Sequence, residues 1–217
     1  MTTTLIEHRT ASGDVALEPE SRIASGYAAV FGRRSLDLGG FTEMIDPDAF
    51  TRTVQQADVV ALWDHDERHL LGRVASGTLR LSIDARGLAY ELDLPDTSTG
   101  RDLAELLRRG DVRGSSFGFR TVRDEWHQDD DGAVTRTLLE VALIDVSPVA
   151  RPAYPDTDAA LRDIAGALGH ELAEVRGAIE ARRLGDLISP QGGDVEGDST
   201  ERPAPPPFRP PLTHLYA

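Results

Sequence analysis

Two serines, Ser115 and Ser116, stand between Gly114 and Gly118 and lead into Phe117-Gly118-Phe119. A serine hydroxyl is a poor nucleophile until a base takes its proton, so this stretch poses the question of which histidine can serve it. Glycines at 114 and 118 leave backbone room for a substrate carbonyl to come within about 3 to 3.5 Å of a hydroxyl. The same residues also suit an ordinary tight turn, and the segment by itself does not choose between the two. Histidines occur at 8, 65, 69, 127, 170 and 214. His8 and His214 fall in weakly patterned ends, His170 on a helical pattern and His127 beside a hairpin tip, which leaves His65 and His69. His65 directly follows the apolar run from Val59 to Trp63, so a rigid strand would hold it.

A histidine base needs a partner on its other ring nitrogen to fix the tautomer and to stabilise the imidazolium. Glu140 is the candidate, because it lies within the apolar run Leu138 to Ile144, where an unpaired charge would be costly. The other reading of Glu140 is an outward-facing position on an alternating strand. A metal site from Asp64, His65, Asp66 and His69 is the weaker alternative for that segment, which follows a strand and lacks the His-Glu-x-x-His order of a helical zinc site. No metal or other cofactor is expected.

The elements that must position these residues are mostly strands. Ile23 to Phe31 reads as a buried strand, and Asp46-Pro47-Asp48 predicts a helix running to about Ala57. Leu79, Leu81 and Ile83 alternate with polar residues, and Asp84-Ala85-Arg86-Gly87 turns the chain into Leu88, Tyr90, Leu92 and Leu94, a hairpin. A helix over Gly100–Arg109, capped from Asp96 to Thr99 and stopped by Gly110, leads to the serines. A second hairpin, 117–127 with 133–147, carries an acidic tip at Asp129-Asp130-Asp131. Strands punctuated by helices without regular alternation predict a mainly β, α+β domain, a closed or nearly closed β-barrel surrounded by helices.

The expected organisation is a weakly structured segment at 1–20, the barrel at 21–157, an amphipathic helix at 158–185 and a disordered Pro/Gly-rich tail at 186–217. Leu161, Ile164, Leu168, Leu172, Val175 and Ile179 form a seam on that helix, for packing on this domain or on a second copy as a homodimer. The tail should be dispensable for folding. A formal net charge of −14 argues against a nucleic-acid partner. The chain has no cysteine, hence no disulfide or thiol chemistry. No apolar run approaches the length of a membrane span, and Met1-Thr2-Thr3-Thr4 does not read as a signal peptide, so an intracellular protein without a membrane partner is expected.

The phrases GYAAVF at 26–31, GGFTEMIDPDAF at 39–50, ALWDHD at 61–66, LGR at 71–73, SGTLRL at 76–81, RRGDVRGSSFGF at 108–119 and LIDVSPVARPAYPDT at 143–157 occur in one order. Together they resemble the prohead (capsid-maturation) protease family of tailed bacteriophages, itself similar to herpesvirus assemblin-type serine proteases, over roughly residues 20 to 160. The resemblance implies a serine endopeptidase of β-barrel fold acting inside the immature capsid, in the host bacterial cytoplasm. Its substrates would be the scaffold or delta region of the major capsid protein and the protease itself, with self-cleavage at or beyond the C-terminal helix. Matched position by position, the nucleophile is Ser116, the base His65 and the third member Glu140. Where the family phrase tends to carry methionine and asparagine, this chain has Ser115 and Asp64. Backbone N–H groups near Gly114 to Phe117, Ser115 among them, are available for the oxyanion, and the resemblance adds Arg151 as a loose positional match; Arg151 reads equally as a surface arginine before Pro152. The alternative is a non-catalytic scaffolding or capsid-assembly protein that keeps the fold, and it is distinguished by whether Ser116 and His65 come within hydrogen-bond reach.

Overall fold

The computed structural model describes residues 6–38, 40–150, 165–166, 168–181 and 184–188. A 16-residue strand, β10 (Val134–Val149), organises one sheet, and it pairs antiparallel along its whole length with β9 (Gly114–Gln128). On the other edge β10 is shared. Its first part pairs in parallel with β4 (Thr42–Ile45), and its later part with β5 (Val60–Trp63). Helix α1 (Thr51–Gln56) fills the gap between these two partners. The Thr53 hydroxyl donates to the Val141 carbonyl at 2.7 Å and accepts from the Leu143 N–H at 3.3 Å, so a side chain replaces a missing strand. Across this gap β10 slips register around Glu140 and again between Leu143 and Asp145, as bulges do where a strand must bend. Residues 47–50 form a turn, and Asp46 accepts from the Asp48 N–H, so α1 is shorter than its Asp-Pro start predicts.

Beyond β9 lies β1 (Glu7–Asp14), and beyond β5 lies β6 (Asp66–Arg73), giving the order β1-β9-β10-β5-β6. A second sheet has the order β2 (Ala16–Leu17), β3 (Ile23–Val30), β8 (Gly87–Asp93), β7 (Leu79–Ile83). The predicted β7–β8 hairpin and the β9–β10 hairpin both form. The chain is therefore mainly β with helices. Neither sheet closes on itself, so a closed barrel is not what the ladders show; the alternation pattern predicts strands and faces but not which edges pair. Both sheets contribute to one core, which includes Phe50, Leu88, Leu92, Leu103, Phe117, Phe119 and Val146. Helix α2 (Ser98–Arg109) buries Leu103 and Leu107, begins at a Thr97 side-chain cap and ends at Gly110 with φ of 76°.

Residues 7–17, read from the sequence as weakly patterned with one optional strand at Leu5 to Arg9 and a turn at Ser12-Gly13-Asp14, form β1 and β2. The charges of β1 are paired internally. Arg136 on β10 is buried and donates to Glu7 at 2.7 Å, Glu43 at 3.1 Å, Asp124 at 2.7 Å and Thr121 at 2.7 Å, while Arg9 bonds Glu43 at 2.9 Å and Glu7 at 2.8 Å. Burial alone would raise the Glu7 carboxyl, but the hydrogen bond and charge of Arg136, with the charge of Arg9, outweigh it and hold Glu7 below its ordinary value of 4.5. This stabilisation is fully present above that ordinary value and is lost as acidification carries the pH through the lower folded one. Arg136→Met leaves the buried Glu7 and Glu43 with Arg9 as the cation they share, and should cost about 3–5 kcal/mol in urea unfolding. Acidification should destabilise the native chain more steeply than an Arg136→Met/Glu7→Gln/Glu43→Gln variant.

A smaller apolar cluster covers the far end of the β9–β10 hairpin. Helices α3 (Leu172–Glu180) and α4 (Leu184–Ile188) place Val175 and Leu184 against Leu38, Phe41 and Val134, with Leu168, Leu172, Ile179 and Trp126 packed around them. The described part of the C-terminal seam is thus occupied by the chain's own surface. Gly169, at φ of 70°, precedes α3, so the long helical pattern is broken rather than continuous. Leu161, Ile164 and residues 189–217, including most of the predicted tail, lie outside the described residues. No helix among the described residues is long and apolar enough to cross a membrane.

Candidate active site

The β5–β6 connection is two residues long, Asp64 and His65, with φ of 52° and 58°. Positive φ at both positions is the signature of a type I′ turn, which asparagine and aspartate tolerate better than most residues. The polar segment after Trp63 is therefore a tight hairpin, with His65 projecting from its tip and Asp66 onward on β6. The turn is pinned to the end of β10: the Asp64 N–H donates to the Pro148 carbonyl at 3.1 Å, the Asp64 carboxylate accepts from the Ala150 N–H at 3.1 Å, and the His65 N–H reaches the Ser147 hydroxyl at 3.3 Å. Such contacts offset the strain of non-glycine residues at positive φ, about 1–3 kcal/mol each.

The His65 ring then bridges two strands. Its Nδ1 lies 2.7 Å from Asp145 Oδ1, and its Nε2 lies 2.7 Å from Ser116 Oγ. A carboxylate only accepts, so Nδ1 carries the ring proton and Nε2 presents its lone pair to the Ser116 hydroxyl. Asp145 is buried, and the Ser147 hydroxyl donates to the same oxygen at 2.7 Å. Ser147 thereby ties the carboxylate to the His65 backbone. The Ser116 hydroxyl has a second acceptor within reach, the Arg9 carbonyl at 3.0 Å. Taken together, a hydroxyl, an imidazole and a carboxylate form a relay able to move a proton off Ser116 and hold the resulting imidazolium.

The ladders explain how three distant residues meet. Ser116 pairs with Ser147, and Gly118 pairs with Asp145 on one side and His8 on the other. Phe117, Phe119 and Val146 turn to the core, leaving Ser116, Asp145 and Ser147 on the polar face of the sheet. A Cβ at Gly118 would fall on the Asp145 carboxylate and come within 3.1 Å of His8 Cδ2. The glycine therefore makes room for the site's own groups rather than for a substrate, and the one at 114 faces Val149. Gly118→Ala should displace Asp145 from His65 and lower turnover at least 100-fold, with loss of the downfield His65 N–H resonance as the check.

A family model for the caudovirus prohead serine protease matches residues 10–168, most of the chain. The chain belongs to that family. No curated protein and no solved structure matches it. Membership in the caudovirus prohead serine protease family supports a role as a capsid-maturation serine protease that works with capsid proteins.

For this family member the structure brings Ser116 and His65 together and sets Glu140 apart. Glu140 sits at the β10 register slips and pairs with Arg52 at 3.1 Å, so the carboxylate on His65 is Asp145 instead. The Ser115 hydroxyl faces the core and bonds the Tyr90 hydroxyl at 2.8 Å, away from Ser116. Burial pushes the Tyr90 phenol upward, so that hydroxyl keeps its proton. Arg151 lies outside the described residues. His69 stands on β6 with its ring near Trp63, and its Nδ1 is 3.7 Å from Asp66. Of the four suggested metal ligands only His65 belongs to a cluster of metal-ligating types among the described residues, with His8 and Asp145. The His8 and His65 rings stack at 4.0 Å with 26° between planes, so their in-plane lone pairs do not converge on one ion.

Sequence reasoning passed over Asp145, Ser147 and His8. Asp145 carried the same signal as Glu140, a charge inside an apolar run, and Asp145-Val146-Ser147 places two polar groups on one strand face.

Proposed function

We propose that this protein is a serine endopeptidase of bacteriophage capsid maturation in which Ser116 is the nucleophile, His65 the general base and Asp145 the residue that fixes and stabilises His65. The observation that carries the reading is the continuous pair of 2.7 Å contacts from Ser116 Oγ through His65 to Asp145. Ser116 Oγ bonds to the scissile carbonyl carbon as its proton passes to His65 Nε2, and the C–N bond breaks as that proton is delivered to the leaving amine. Water, deprotonated by His65, then attacks the acyl carbon, and His65 returns that proton to Ser116 Oγ as the acyl C–O bond breaks and the acid leaves. Asp145 stays ionised throughout, and Ser147 holds it in place.

The substrates we assign are the scaffold or delta region of the major capsid protein and the chain itself, cut at or beyond the helical segment expected at 158–185, with the reaction taking place inside the prohead in the host bacterial cytoplasm. A purely scaffolding role would not need an imidazole between a hydroxyl and a carboxylate at these distances, which favours the enzyme. Co-expression with the major capsid protein, followed by mass spectrometry of its N-terminus, tests this. A shortened capsid protein is expected, and a full-length one in assembled proheads would favour the scaffolding alternative.

A further inference from the structure

We infer that His8 is a positioning residue of this site, its ring packed flat on His65 to hold that imidazole between Asp145 and Ser116. The inference rests on the proposed catalytic reading. His8 is the β1 neighbour of Gly118, as Asp145 is the β10 neighbour, so the three form one cross-strand row. With no side chain on Gly118, the flanking side chains lean over it, and His8 Cδ2 comes within 3.1 Å of where a Cβ would stand. The His8 and His65 centroids are 4.0 Å apart and their planes 26° from parallel.

His65 needs such support because it projects from a two-residue turn. Rotation about its Cβ–Cγ bond lies in a broad torsional well, opposed by the two ring-nitrogen contacts. A flat neighbour restricts that rotation without competing for either nitrogen. His8 also suits the charged state. The charged and titratable groups facing it are His65 from the β5–β6 turn, Asp145 from β10 and Arg9 from its own strand; β9 contributes only Gly118 in that row. His8 is exposed overall, but desolvation of the ring face covered by His65, and then the charge of His65, lower its affinity for a proton, with Arg9 acting the same way and Asp145 opposing. A neutral ring therefore faces the imidazolium that forms during acylation, an arrangement that favours the cation. The family match begins at Thr10, so His8 precedes it.

A fluorophosphonate probe reads the acylation step without a known peptide substrate. We expect His8→Ala to lower the maximal rate of Ser116 phosphonylation about 2- to 10-fold with little change in the probe concentration for half-maximal rate. His8→Phe, which keeps the flat face but not the nitrogens, should retain most of the rate. The downfield His65 Nδ1–H resonance should broaden or move in His8→Ala and persist in His8→Phe, with unfolding temperatures measured alongside. Equal labelling of native and His8→Ala proteins, or equal loss in both variants, overturns the role of stacking. Absence of Ser116 labelling in the native protein instead overturns the nucleophile assignment on which it rests.

Discussion

Ser116→Ala is expected to abolish processing of the co-expressed capsid protein, a loss on the order of 10⁴-fold or more in turnover, whereas Ser115→Ala leaves most of it. The difference follows from the two faces of β9. Ser116 presents its hydroxyl to His65 Nε2 at 2.7 Å, while Ser115 gives its own to Tyr90 in the core at 2.8 Å. Without the Ser116 oxygen there is no acyl-enzyme, and what remains is whatever binding and dipoles contribute alone. Loss of the Ser115–Tyr90 bond should appear instead as about 1 kcal/mol of stability. Unimpaired processing by Ser116→Ala would end the proposed mechanism.

Asp145→Asn should lower turnover by about 10³- to 10⁴-fold with the fold intact, and Glu140→Gln should change it little. An asparagine at 145 can still meet the Ser147 hydroxyl and His65 Nδ1, but it is neutral and lets the ring settle in the tautomer that turns Nε2–H toward Ser116. Glu140 pairs with Arg52 outside the relay. Parallel steady-state measurements on the two variants decide between the carboxylates: a large loss in Glu140→Gln with normal turnover in Asp145→Asn would reverse the assignment.

His65 and Ser116 could be read from the chain because each is announced locally, one by an apolar strand running into a polar turn, the other by glycines and a helix stop. The cap and the stop of α2 were equally local. Asp145 was not recoverable by counting, because β10 slips register three times between Leu138 and Asp145, and each bulge resets which residues share a face. A buried-charge argument pointed at Glu140 and applied with equal force to Asp145; only the turn at Asp64-His65 decides which carboxylate the ring meets. Strand β1 was underestimated for another reason. Glu7 and Arg9 look like surface charges until Arg136 and Glu43, 129 and 34 residues away in sequence, complete the buried network, and with β1 dismissed His8 went with it.

The bonds of the site link residues 51, 80 and 107 positions apart, from the β5–β6 turn, β9, β10 and β1. No segment shorter than nearly the whole body holds a hydroxyl, an imidazole and a carboxylate in one place. Contacts this distant close late, because loop-closure entropy must be overcome before they gain anything. A chain emerging from the ribosome, or one trapped partly folded, therefore carries all the residues of a protease and none of its hydrolytic power. Topology delays any onset of cleavage until the folded body exists.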